Sequence, residues 1–420
     1  MIIEQRIKNF EKLGFGMFVH FGIYSQRGQG EWAQCLLGIP QEEYGLLAKT
    51  FNPHPDWAQK LVAAAKNAGC KYITLTTRHH DGYSLYDTCG LNDYDAPHSC
   101  GRDLVREFVD ACNAEGIIPF FYHTLIDWHE PSCPFSSDEH PEWNREGNWE
   151  VYMDYLQKSV ELLCKNYGKI GGLWFDGMWA YWDHDWQEDK LYGLIRSYQP
   201  DAMIINNTGM RNMGQLGHIE LDSITFERGK PQPLNMEGAP KYIASEMCEV
   251  FNSHWGYTEQ DLSYKAPAQL IETLAICRRY GSNLLMNVGP MGAGYIRPMD
   301  AVYLDLMGQW VKYHDEAIRA PRPTGIEIAG KPDDFILRDG DTYYLFCMGL
   351  PMATDANVQL GLEIDYASTF SLDRTIRSIT WMDSGKAVPY EVSGDQVTVI
   401  TQPFTYGRHF VVRVAKIVCE

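Results

Sequence analysis

Through its first 320 residues the chain alternates short apolar runs with longer amphipathic stretches. The apolar runs GFGMFVHFG (14–22), KYITLTT (71–77), IIPFFYHT (117–124), GGLWFDG (171–177), AMIINN (202–207), SITFERG (223–229), KYIASEM (241–247) and NLLMNVGP (283–290) have the length and residue types of buried strands. The stretches 56–69, 103–116 and 148–168 repeat apolar residues at i, i+3 and i+4 and end at or just before a glycine, as helices do. Strand–helix alternation implies a parallel sheet, and about eight such units close into a (β/α)8-type barrel. The spacing predicts an α/β fold with that barrel over 1–320. Residues 30–55 and 125–147 break the pattern, being long, irregular and rich in Trp, Pro and His. Loops of that length in a compact domain usually serve function.

After a helical pattern at 298–318 the texture changes. RAPRPTG (319–325) reads as a linker, and beyond it apolar and polar residues alternate around DG, SG and GD turns. That is the antiparallel pattern, so a C-terminal antiparallel β-sandwich domain is expected over 321–420.

Composition removes several function classes. The 36 basic and 55 acidic side chains give a formal charge of −19, which repels phosphate backbones and anionic lipid, so neither nucleic acid nor membrane is expected as a partner. No run of 18 apolar residues is present to span a bilayer. The eleven cysteines form no C-x-x-C pair and are odd in number, which argues for a reducing compartment. With no secretory pattern at the N-terminus, a cytoplasmic location is expected. GPMGAG lacks the Lys-Ser/Thr of a phosphate loop and reads as a turn after the eighth strand, so no cofactor is expected. A homo-oligomer is compatible with all of this.

A barrel carries its active site at the C-terminal ends of its strands. That filter selects His20, the run Arg78-His79-His80-Asp81, Tyr122 and His123, Asp176, Asn206 and Asn207, Glu227, and Asn287. Asp176 follows Leu173-Trp174-Phe175 and precedes Gly177. A helix cap would stand directly before a helix, but the next helical pattern begins beyond Trp182. Glycoside chemistry needs a second carboxylate at another strand end, as acid partner to the first. Glu227 is the natural candidate, and Glu220 and Glu246 are alternatives. The histidines admit a metal reading with Asp176, yet there is no H-x-H pair after the first strand and no HExxH, so no metal is expected. Neutral imidazoles and indoles that bond sugar hydroxyls are the other reading. Adjacent His79 and His80 would point to opposite faces if both were extended.

These residues carry a family likeness. GFGMFVHFGIYS with GEWAQ, YITLTTRHHDGYSLYDT, GGLWFDG, and GSNLLMNVGPMGAGYIRP with GQWVKYHDEAI occur in the order of the α-L-fucosidases of glycoside hydrolase family 29, which the chain resembles over nearly all of 10–320. The resemblance implies Asp176 as nucleophile and a fucose pocket of His20, Glu31, Trp32, His79, His80, Tyr122 and Trp174. It implies Glu227 as acid/base, with Glu220 as the alternative from another subgroup. Where the family has an Asn-Asp-Arg-Trp-Gly-like stretch, this chain reads Asn206-Asn207-Thr208-Gly209-Met210-Arg211, which leaves the role of Arg211 open. The expected activity is that of a retaining exo-glycosidase. It would hydrolyse terminal α-L-fucosyl linkages of an oligosaccharide or glycoconjugate by double displacement through a covalent glycosyl-enzyme. The alternatives are an exo-glycosidase for another galacto-configured sugar and a non-catalytic carbohydrate-binding protein.

Overall fold

The computed structural model describes residues 2–420 except 139, 209–212, 235, 351–366 and 405–409. Strands β1 (Phe15–Val19), β2 (Tyr72–Arg78), β3 (Ile118–Thr124), β4 (Gly172–Asp176), β5 (Met203–Asn207), β6 (Ser223–Glu227), β7 (Ala244–Val250) and β8 (Asn283–Val288) pair in parallel, in chain order, and β8 returns to β1 to close a barrel. The apolar runs mark these strands to within a few residues. The largest displacement is β7, three residues later than its KYIASEM run. Its ladder is set by its neighbours: Ala244 stands opposite Ser223 and Val250 opposite Asn287. Lys241 lies below the ladder, its Nζ 2.9 Å from Asp222 Oδ1.

The expected helices form at Trp57–Asn67, Leu104–Glu115, Trp149–Asn166 and Pro298–His314. Asp103 and Asn148 cap two of them by accepting the N–H groups of Arg106 and Val151, which would otherwise lack partners. Between β5 and β6, and between β6 and β7, no α-helix stands among the described residues. The helix Gln5–Glu11 attaches below that sector instead. Its Arg6 bonds Asp222 through Nε at 3.1 Å and Nη2 at 3.0 Å, and Arg196 reaches the same carboxylate at 2.6 Å.

The barrel interior is filled rather than hollow at its lower end. Phe10 plugs the floor against Tyr72 and Phe120, at ring-centre distances of 5.6 and 5.8 Å. Each buried aromatic there contributes roughly 1.5–3 kcal/mol of burial free energy. Gly16 makes room for the Tyr72 ring, because a Cβ at that position would lie 2.4 Å from it.

Beyond the barrel, strands β9 (Arg322–Pro323), β10 (Phe335–Asp339), β11 (Thr342–Cys347), β12 (Ala367–Ser371), β13 (Ile376–Trp381), β14 (Tyr390–Ser393), β15 (Gln396–Ile400) and β16 (Arg413–Cys419) form two antiparallel sheets. The five-stranded sheet has the order β13-β16-β11-β10-β9, and the three-stranded sheet β12-β15-β14. Alternation assigns the two faces of the larger sheet. Phe335, Leu337, Tyr344 and Phe346 join the core of the barrel and its helices, while Ile336, Tyr343 and Leu345 pack with Phe370, Val397 and Val399 of the smaller sheet. Trp310, on the last barrel helix, donates its indole N–H to the Val412 carbonyl at 2.8 Å.

Candidate active site

The C-terminal ends of the barrel strands surround a cavity of about 500 Å³. Asp176, the last residue of β4, reaches it. Gly177 follows with φ +101°, a conformation that L side chains rarely adopt, and the chain turns through Met178–Ala180 so that Trp179 comes back over the carboxylate. The next α-helix begins at Glu188, and the short 3-10 helix Met178–Ala180 has Gly177 at its N-cap with no side-chain cap bond, so Asp176 caps neither. Its Oδ1 accepts from Trp179 Nε1 at 3.0 Å and Asn207 Nδ2 at 3.2 Å. Its Oδ2 accepts from the Tyr122 hydroxyl at 3.0 Å and lies 3.5 Å from His80 Nε2. Burial opposes ionisation of this group, but His80, Trp179 and Tyr122 outweigh it and hold the carboxyl below its usual range.

Glu227 ends β6 and borders the same cavity. Burial and the adjacent Asp176 charge raise its pKa, and the Asn207 hydrogen bond and Arg228 offset this only in part. One side chain spans the two carboxylates: Asn207 Nδ2 donates to Glu227 Oε2 at 3.0 Å as well as to Asp176. Thr225 fixes the sense of that amide by donating to Asn207 Oδ1. The nearest carboxylate oxygens share a donor, so their separation cannot exceed the two hydrogen bonds laid end to end. The surroundings therefore favour the charged form of Asp176 and the neutral form of Glu227, with one amide bonded to both.

The other two glutamates lie elsewhere. Glu220 precedes β6 and bonds Arg196 Nε at 3.0 Å, on the side away from the strand ends. Glu246 is buried inside the barrel, two residues below the cavity-lining Cys248, and accepts from Tyr72 and from Trp174 Nε1. Arg211 falls outside the described residues.

His20, His79, His80, Tyr122, Trp174 and Trp32 line the cavity; Glu31 does not. Glu31 is buried behind that wall, its Oε2 accepting the Gly256 N–H at 2.7 Å. His79 and His80 do not point to opposite faces. β2 ends at Arg78 and the chain turns, so both rings reach the cavity with centres 4.3 Å apart. Asn287 commits its nitrogen to the Trp255 carbonyl, so its oxygen faces His20 and takes the proton of Nδ1, leaving Nε2 as an acceptor. Burial lowers His20 to about 3 and His79 well below its ordinary value, so both rings are neutral. The Nδ1 of His79 is buried without a partner among the described residues, a cost of roughly 1–3 kcal/mol. His123 turns away to Thr77. Among the described residues no group of three metal-binding side chains is arranged to hold an ion.

Trp179, Trp182 and Trp255 also border the cavity, and strand-end filtering misses all three. They stand on loops whose paths depend on distant contacts. The run Met178-Trp179-Ala180-Tyr181-Trp182 directly after the Asp176 strand was the available signal.

Comparison with known proteins agrees over most of the chain. The family model described as Alpha-L-fucosidase matches residues 3–316. Tissue alpha-L-fucosidase of Rattus norvegicus is 28% identical over 352 residues, spanning 76% of this chain and 71% of that protein. The Alpha-L-fucosidase of Dictyostelium discoideum is 24% identical over 347 residues, spanning 76% of this chain and 72% of that one. Among solved structures, Alpha-L-fucosidase isoenzyme 1 from Paenibacillus thiaminolyticus superposes with a TM-score of 0.83 at 30% identity, covering 99% of both chains. A GH29 alpha-L-fucosidase from Bacteroides thetaiotaomicron, at 20% identity and a TM-score of 0.80 over 99% of this chain and 95% of that one, shares the fold.

Proposed function

The chain belongs to the α-L-fucosidase family, and from that premise we propose that it hydrolyses terminal α-L-fucosyl linkages with retention of configuration, Asp176 being the nucleophile and Glu227 the acid/base. The observation that carries this reading is the Asn207 amide nitrogen shared by both carboxylates, which supports a pair close enough for direct attack.

In the first step an Asp176 oxygen forms a bond to the anomeric carbon while the glycosidic bond breaks and Glu227 gives its proton to the departing oxygen. The nucleophile is then an ester and no longer carries charge. The repulsion that raised Glu227 disappears, its pKa falls, and it becomes a base. In the second step Glu227 takes a proton from water, the water oxygen bonds the anomeric carbon, and Asp176 leaves as carboxylate. Two inversions give net retention. The neutral rings of His20 and His79 suit sugar hydroxyls, which need donors and acceptors rather than charge. A fucosylated oligosaccharide or glycoconjugate is the substrate class. No disulfide joins the cysteines among the described residues, which suits a reducing compartment.

The test is Asp176→Gly assayed on an aryl α-L-fucoside. Turnover should disappear and return with added azide, and a 2-fluorinated fucoside should label Asp176 in the parent protein. Proton NMR should show the α-anomer as first product. Full activity in Asp176→Asn would sink the assignment, and preference for an aryl galactoside in a glycoside panel would replace the sugar.

A further inference from the structure

A second hollow, of about 270 Å³, stands beside the catalytic cavity, and its whole lining comes from the two irregular loops at 30–55 and 125–147. Gln34, Cys35 and Gln41 come from the first loop, and Trp128, Phe135, Glu142, Trp143 and Arg145 from the second. The two loops are packed on one another: a Cβ on Gly38 would meet the His140 ring at 2.5 Å, and Gln41 donates to the His129 carbonyl. Trp128 joins the hollow to the catalytic cavity, its ring 5.0 Å from that of Trp32 and 5.5 Å from that of His80, both of which line the cavity.

We propose that this hollow is a subsite for one neutral sugar ring of the aglycone, beyond the sugar bonded directly to fucose; the proposal rests on the fucosidase reading of the neighbouring cavity. Gln34 supplies the first reason. It is 6% exposed, lines the hollow, and its Oε1 has no hydrogen-bond partner among the described residues. Buried amide oxygens are nearly always paired, so an unpaired one on a residue that lines a hollow leaves an acceptor that a small side-chain rotation can offer to a ligand donor. A sugar hydroxyl is such a donor.

The aromatic wall supplies the second reason. Trp143 is stacked on His140 at 4.4 Å and 19°, which fixes its ring, and it lines the hollow with what His140 leaves uncovered. Rigid aromatic surface beside a few polar groups is how sites hold ring-shaped polar ligands. Charge supplies the third. Arg145 spends Nε on the Cys133 carbonyl and Nη2 on those of Asp127 and Trp128, so it holds its own loop, and Glu142 on the same wall balances its charge. A wall of one cation and one anion favours an uncharged ring over an acidic sugar or a phosphate.

The experiment compares the parent protein with Trp143→Ala and Gln34→Leu on two substrates, an aryl α-L-fucoside and a neutral fucosylated tetrasaccharide. The expected result is a roughly tenfold rise in KM for the tetrasaccharide in each variant, with kcat for both substrates and KM for the aryl fucoside unchanged. Gln34→Leu should also raise Tm, because it removes an unpaired buried oxygen; a residue needed only for folding would lower it. Saturation-transfer NMR with the defucosylated trisaccharide gives a reading apart from turnover: signal in the parent and none in Trp143→Ala supports the subsite. Equal loss on both substrates, or no change on either, overturns it while leaving the fucosidase reading intact. A parent protein that turns over neither fucoside, yet folds, overturns the fucosidase reading and this proposal with it.

Discussion

Asp176 and Glu227 are nearly the same functional group, and their neighbours divide the labour between them. Donors around Asp176 favour its charged form, while burial and that very charge favour the neutral form of Glu227. Activity should therefore be bell-shaped in pH. It is lost on the acid side as pH falls through the lowered pKa of Asp176, and on the alkaline side as pH rises through the raised pKa of Glu227. Asn207→Ala removes a bond that lowers Glu227, so the alkaline limb of kcat/KM should move to higher pH and kcat should fall about 10- to 100-fold. Glu246 allows a separate test on stability. Burial lifts its pKa from 4.5 to about 7, so between those values the native protein keeps a proton that the unfolded chain has released, and stability falls as pH rises. Glu246→Gln has no proton to lose and can still accept from Trp174. Its advantage over the parent in denaturant melts should grow by about 3 kcal/mol across that window and stay level above it.

Strands were legible in the sequence because burial on both faces leaves continuous apolar runs, and Asp176 because its run ends in a carboxylate and a glycine. What was not legible depends on how strands stand against each other. Glu227 and Glu246 both end or follow apolar runs, but Glu227 pairs in register with Cys248, so Glu246 lies two residues lower, inside the barrel. No local pattern distinguishes those layers. The His79–His80 turn is likewise a tertiary matter: Ser84 returns to bridge Arg78 and stops the extension that alternation assumes. Gly177 illustrates how a loop serves the chemistry. Gly177→Ala forces a side chain onto φ +101° and should cost roughly 1–3 kcal/mol in thermal melts. If the turn relaxes, Trp179 loses Asp176, and the acid limb of the pH profile should move upward. An unchanged acid limb would mean that the indole is held by something other than this turn.

Barrel and sandwich share one sheet between two cores, since alternate residues of β10 and β11 pack on the barrel side and on the smaller sheet. Trp310→Ala removes a buried indole and its bond to Val412 at that junction, and should cost about 3–5 kcal/mol. Calorimetry should show one transition moving down rather than two separating, because neither unit keeps its apolar face covered alone. The aromatic wall of the cavity has another consequence. Five of the twelve tryptophans, Trp32, Trp174, Trp179, Trp182 and Trp255, border that one cavity. Indole emission depends on the water near the ring, so a sugar that displaces water there should move the fluorescence towards the blue. The protein thus carries its own optical reporter. With Asp176→Asn to prevent consumption, stopped-flow mixing could follow an unlabelled fucoside as it arrives and departs.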